Sequence, residues 1–157
     1  MKGTLKKRSD KVAFLEVNDV FTRMEGFTTF SQSKNPTEYS RRYVDQDFEN
    51  TDVTGYSPQI GFGFDQYEGN EVHDHIVDIL DNEKLGNDAI VTICVVDVTD
   101  GSAVKREWTV VGDTEGDSMD AYTYSGNFRV KGEKVFGTAT SEDNWATCIF
   151  VPKNEEL

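Results

Sequence analysis

Residues 35–69 read NPTEYSRRYVDQDFENTDVTGYSPQIGFGFDQYEG: two alternating strand-like runs that bracket a long polar stretch. In the first, residues 37–44, Tyr39, Arg41 and Tyr43 share one face while Glu38, Ser40, Arg42 and Val44 share the other, as the period of two in a strand requires. In the second, residues 59–67, Ile60, Phe62 and Phe64 point one way, and Gln59, Gly61, Gly63 and Asp65 leave the opposite face nearly without bulk. A neighbouring chain or solvent must lie against that bare face. Between the runs, residues 45–58 carry Asp45, Asp47, Glu49, Asp52, Gly55 and Pro58, far more than a tight hairpin needs, so the sequence predicts a long loop there.

A helix is predicted directly behind this block. Asn70 is a good N-cap, acids follow in the first turn, Val72, Ile76, Ile79 and Leu80 form one apolar stripe, and Gly86 stops a helix spanning about residues 71–85. Residues 88–99, DAIVTICVVDVT, are apolar on both faces, as in a covered central strand. Further strands are expected at residues 11–17, 103–111, 121–130, 134–140 and 145–151, separated by Gly-, Asp- and Ser-rich turns. Residues 18–34 hold Phe21, Met24, Phe27 and Phe30 at spacings of three among Thr and Ser, and are expected to be mostly loop. The pattern predicts a mainly β fold: an antiparallel β-sandwich or barrel with one flanking α-helix. A single domain of 157 residues, with an N-terminal arm over residues 1–10 and a short acidic tail over residues 152–157, accounts for the whole chain.

Charge is uneven. Sixteen Lys plus Arg against 29 Asp plus Glu give a formal charge of −13, yet Lys2, Lys6, Lys7, Arg8 and Lys11 against Asp10 make the first eleven residues locally positive. The remaining surface is strongly acidic and excludes broad phosphate gripping, which works by replacing counterions with Lys and Arg. No apolar run approaches the ~20 residues of a membrane span, and the first thirty residues contain no signal-peptide core.

Candidate chemistry is sparse. His73 and His75 stand two apart in the predicted helix, project to different sides, and read as solvated side chains rather than a metal pair. Cys94 and Cys148 sit inside apolar strands and read as reduced, buried hydrophobes. The alternating acids at Asp45, Asp47 and Glu49, and at Asp113, Glu115, Asp117 and Asp120, lack the ligand order and glycine of an EF-hand. Trp108 and Trp145 could form a sugar platform, but their strand contexts favour core packing. Gly61 and Gly63 lack the third glycine, the Lys and the helix start of a phosphate loop. No catalytic, cofactor or metal residue is assigned, and an enzyme is not expected. An acidic β-sandwich module that binds carbohydrate or calcium is the alternative reading.

The stretch from NPTEYSRRYVDQDF through GFGFDQYEGNEVHDHIVDIL resembles the central block of major tail tube proteins from long-tailed phages of Gram-positive hosts. Residues 116–137, GDSMDAYTYSGNFRVKGEKVFG, resemble the family's C-terminal hairpin, and GTATSEDNWATCIF resembles its last strand. The resemblance implies a β subunit that joins into homohexameric rings, stacked into a hollow tube through which DNA passes without specific binding. It implies tape measure, tail terminator and distal tail proteins as partners, and residence in the virion tail after assembly in the host cytoplasm. On this resemblance the loop reaches the next ring, through Asp45, Asp47, Phe48, Glu49, Asp52 and Tyr56. The basic residues Lys6, Lys7 and Arg8 are expected to help by meeting an acidic neighbour. Glu38, Ser40, Arg42, Gln59, Gly61, Gly63 and Asp65 are expected to line the lumen, where net acidity would repel phosphate and let the duplex slide.

Overall fold

The computed structural model describes residues 2–153. Eleven strands and one α-helix follow in chain order: β1 (Lys11–Val17), β2 (Val20–Arg23), β3 (Phe27–Ser33), β4 (Pro36–Arg41), β5 (Asn50–Tyr56), β6 (Gln59–Asp65), α1 (Glu71–Asp81), β7 (Ile90–Asp97), β8 (Ser102–Glu115), β9 (Thr123–Val130), β10 (Val135–Thr140) and β11 (Thr147–Pro152). The architecture is mainly β with one helix, as the alternation of the sequence requires. Nine strands form one antiparallel sheet in the order β10-β11-β2-β1-β7-β8-β9-β6-β3, while β4 and β5 pair only with each other.

The long strand β8 explains the curl of the large sheet. Its first residues, Ser102 to Lys105, pair with Thr138 to Val135 of β10, so β8, β10, β11, β2, β1 and β7 close into a small barrel. Val12, Phe14, Phe21, Cys94, Val96, Ala103, Ala139 and Cys148 fill that barrel. The later part of β8 leaves the barrel and pairs with β9, which carries β6 and then β3 at the open edge.

The opposite face of the sheet holds the larger core. Leu15, Ile60, Phe62, Phe64, Ile93, Trp108, Val110, Tyr124 and Phe128 meet Val72, Ile76 and Ile79 of α1 there. The Phe62 and Phe128 rings stack 4.4 Å apart. Alternation makes this possible: Leu15 and Val17 face the helix layer while Val12 and Phe14 face the barrel interior, on a single strand. Asn70 caps α1, its Oδ1 accepting the Val72 and His73 N–H groups at 3.0 and 3.1 Å. Tyr124 ties the far end by donating its hydroxyl to Asp81 at 3.1 Å.

Four sequence expectations change. The helix ends at Asp81 rather than about residue 85, because Asn82 binds back to the Asp78 carbonyl and Glu83 turns left-handed at φ 49°. Residues 18–34 are not mostly loop but hold β2 and β3. A bulge between Phe27 and Thr29 resets the register, and Phe27 and Phe30 both pack against the main core, three residues apart. His73 is not solvated but fully buried. The stretch 45–58 is not a loop throughout, since residues 50–56 form a strand paired with β4. Cys94 and Cys148 are free and buried, Trp108 lies in the main core, and Trp145 packs on the barrel cluster with its ring 6.2 Å from Phe14.

Candidate assembly surface

Strands β3 and β6 pair up to Ser33 opposite Gln59, and β4 and β5 pair from Pro36 opposite Tyr56 onward. The four strands are therefore one long hairpin broken by a bend at residues 34–35 and 57–58. Asn35 makes the bend, with φ at 45°, a conformation Asn tolerates better than most residues. Its Nδ2 donates to the Ser57 carbonyl oxygen at 3.0 Å, and the Ser57 N–H returns to the Lys34 and Asn35 carbonyls at 3.2 Å. Beyond the bend the hairpin projects as an arm.

No core lies beneath this arm. Every residue of β4 is exposed, as is all of β5 except the half-buried Gly55. Tyr39, Tyr43, Val44, Phe48, Val53 and Tyr56 are all exposed large apolar side chains. Among the described residues the arm's side-chain ties run only within it: Ser40 Oγ lies 3.0 Å from Thr51 Oγ1, Arg41 donates to the Tyr39 hydroxyl at 2.7 Å, Asn50 Nδ2 to Gln46 Oε1 at 2.9 Å, and the Thr54 hydroxyl to the Thr37 carbonyl at 3.2 Å. An isolated two-stranded ribbon is marginal in water, so an arm that exposes large apolar side chains on both faces is a candidate contact surface.

The proposed inter-ring residues fall at three places. Asp45, Asp47, Phe48 and Glu49 form the exposed tip, Asp52 lies mid-arm opposite Tyr39, and Tyr56 stands at the base. The N-terminal basic residues are elsewhere, and two of the three are engaged within the chain. Lys6 Nζ lies 2.7 Å from Asp97 Oδ2, and this ammonium, with the Thr99 hydroxyl, holds the Asp97 carboxyl down at about 2. Arg8 donates to the Lys11 and Phe30 carbonyls at 2.8 and 3.3 Å. Lys7 donates its backbone N–H to Asp10 at 2.9 Å, and its side chain is exposed. The expected N-terminal arm at residues 1–10 is tethered within the chain from Lys6 onward; Met1, and residues 154–157 of the expected acidic tail, lie outside the described residues.

The expected lumen residues are not brought together. Glu38 and Ser40 belong to the arm, and Arg42 follows the end of β4 in the tip turn, whereas Gln59, Gly61, Gly63 and Asp65 belong to the main sheet. The reason is the bend, which sends β4 away from β6 and leaves β3 as the neighbour of β6. Around the β6 set the bare face broadens, because opposite residues share a face. Thr29, Ser31 and Ser33 stand opposite Gly63, Gly61 and Gln59 on one side, and Ser125, Asn127 and Arg129 on the other. That surface is small, polar and nearly neutral, with Asp65 and Arg129 as its charges. The net acidity of the chain therefore lies mainly outside it.

His73 is a buried polar residue whose role the sequence conceals. Its Nδ1 accepts the Tyr67 N–H at 3.0 Å and its Nε2 donates to the Glu25 carbonyl at 2.6 Å, a neutral ring with both nitrogens satisfied. Burial lowers its pKa against the opposing pull of the Glu25 carbonyl, and burial lowers that of His75 likewise. Gly26, at φ 78°, permits the approach, since a Cβ there would stand 2.9 Å from His73 Cε1. Among the described residues no group of three or more His, Cys, Asp or Glu is placed to hold a metal ion, and no helix is long and apolar enough to cross a membrane.

No family model and no curated protein matches this sequence. Solved structures do match its fold. A chain in the virion of a native gene transfer agent particle superposes with TM-score 0.64 at 12% identity, covering 84% of this chain and 98% of that one. A chain in the tail of an empty gene transfer agent particle, refined with C6 symmetry, gives the same values. A chain in the six-fold symmetrised baseplate of the anti-feeding prophage gives 0.55 at 7% identity, covering 86% and 97%. The protein has the β fold of chains found in virion, tail and baseplate assemblies.

Proposed function

We propose that the protein is a structural subunit of a phage-type tail that polymerises as stacked hexameric rings into a hollow tube for DNA. The observation that carries this reading is the β4–β5 arm, a ribbon with exposed Tyr39, Tyr43, Val44, Phe48, Val53 and Tyr56 and no core of its own. A partner surface that covers the arm would supply what the chain lacks. The fold likeness to chains of a C6 tail and a six-fold baseplate supports a repeated copy of the same chain as that partner.

Within a ring, the unpaired edge of β3 is the natural place for lateral sheet addition, which turns an aggregation hazard into assembly. The bare face of β3, β6 and β9 would then form the lumen wall. Its Ser, Thr, Gly and Asn side chains offer DNA almost no cation to grip, so the duplex would keep its counterions and slide. Tape measure, tail terminator and distal tail proteins are the expected heterologous partners, and the virion tail is the expected site of residence.

Negative-stain microscopy of concentrated wild-type protein tests the reading. Rings or tubes are expected. A protein that stays monomeric at every concentration, or that is stabilised by calcium or a sugar instead, would overturn it.

A further inference from the structure

Beside the base of the arm lies a cleft of ≈ 390 Å³ lined by Gln32, Lys34, Tyr56, Pro58, Arg106 and Lys134. Three of its six residues are cations, in a chain of net charge −13. Among the described residues the only ion pairs are Lys6–Asp97 and Lys84–Asp78, so all three cations lack a carboxylate partner. Their mutual proximity has a cost. Partial burial, then Lys34 and Arg106 as like charges, push the Lys134 ammonium below its ordinary pKa.

Arg106 is fixed in place. Its Nε donates to the Gly132 carbonyl at 2.6 Å and its guanidinium lies 5.6 Å from the Trp108 ring centroid. Its remaining N–H groups are left for an anion, and a planar guanidinium suits a carboxylate.

We infer that this cleft is a socket for the acidic arm tip of another copy of the chain, with Lys34, Arg106 and Lys134 receiving Asp45, Asp47 and Glu49. The inference rests on the tail-tube reading and names the surface on which the arm docks. Charge and reach together favour the tip: beyond Arg42 it carries three acids and no cation over residues 43–49, all exposed at the end of a projecting arm. Geometry requires a second copy. Tyr56 at the socket pairs with Pro36, whereas the tip begins beyond the Arg41–Asn50 pair, five residue steps away or roughly 17 Å at strand rise. A tip cannot reach the socket at its own base. Tip and socket are different patches of one surface, so the contact is head-to-tail, and a head-to-tail contact that does not close grows into a filament.

The test compares four proteins by sedimentation and electron microscopy at one salt concentration: wild type, a socket reversal (Lys34→Glu with Lys134→Glu), a tip reversal (Asp45→Lys, Asp47→Lys and Glu49→Lys), and the chain carrying both. All five positions are exposed, and thermal unfolding checks that each variant folds. Each reversal alone should raise the concentration needed for polymers at least about tenfold, and the combination should bring it back toward wild type. If wild type forms tubes and either single reversal does so equally well, or the combined chain is no better than its parents, the socket is refuted while the tube reading stands. A wild-type protein that never polymerises overturns both.

Discussion

Asn35 and Ser57 face each other across the bend of the β3–β4 and β5–β6 hairpin, with the Asn35 Nδ2 donating to the Ser57 carbonyl oxygen at 3.0 Å. This contact, with the Ser57 N–H bonds to the Lys34 and Asn35 carbonyls, sets the direction of an arm that has no core of its own. Asn35→Val removes the hydrogen bond and forces a β-branched residue into the left-handed region, a strain of about 1–2 kcal/mol. Because the arm has no core, thermal unfolding of the body should shift little, while tube formation fails. A matched loss of both would mean that the bend belongs to the folding core.

His73 should give the protein an acid limit. Its folded pKa is lowered, so the unfolded chain takes up a proton that the folded chain refuses. Stability should be constant above about pH 6.5 and fall below it, toward the depressed folded pKa, with a slope of up to about 1.4 kcal/mol per pH unit for one proton. The nearby carboxylates Asp74, Asp65 and Glu25 soften this by favouring the charged ring. His75 shifts the same way, so the measurement is made in a His75→Asn background. A flat urea-unfolding profile between pH 7 and 5 in that variant would rule out the buried ring as the source.

Two glycines should behave oppositely. A Cβ at Gly126 would run into the Val111 carbonyl oxygen and stand 3.2 Å from the Phe62 ring, so Gly126→Ala should cost about 3 kcal/mol or prevent folding. At Gly61 the nearest atom is the Asn127 Oδ1 at 3.8 Å, an ordinary contact. Gly61→Ala should change stability by less than about 1 kcal/mol, with a gain favoured by lower unfolded-state entropy. Chemical denaturation of the pair measures both.

Asp97 should hold the N-terminal segment against the barrel. Its carboxyl is depressed, so the tie to Lys6 is complete above about pH 4 and is lost as the pH falls through about 2. Asp97→Asn should speed tryptic cleavage after Lys6 and Lys7 at neutral pH. Cleavage at the wild-type rate would show that the tie does not restrain the segment.

What the sequence discloses follows from where a core exists to impose a period. Strands β6, β7 and β8 and the start of α1 are legible because Ile60, Phe62 and Phe64, Val91 and Ile93, and Val72, Ile76 and Ile79 all answer to one buried layer. The arm is illegible as a ribbon because β5, NTDVTGY, packs on nothing and carries no apolar alternation. Strand β3 is hidden by its bulge, which gives a strand the spacing of a helix. His73 is hidden because both its partners are backbone groups, one of them 48 residues away. The socket is scattered over three segments, and only the fold brings Lys34, Arg106 and Lys134 to one cleft. The stretch 35–69 stands out in the chain for the same reason that its shape is misread: its outer half packs on no core of the chain's own.

Removal of the arm tests the central claim most directly. Replacing residues 36–56 by Gly-Gly joins Asn35 to Ser57 and leaves every residue of the nine-stranded sheet in place. The expected result, by thermal unfolding and negative-stain microscopy at concentrations where wild type forms tubes, is a cooperatively folded protein that builds none. Normal tubes from the armless chain would contradict the assignment of the arm as the link between rings.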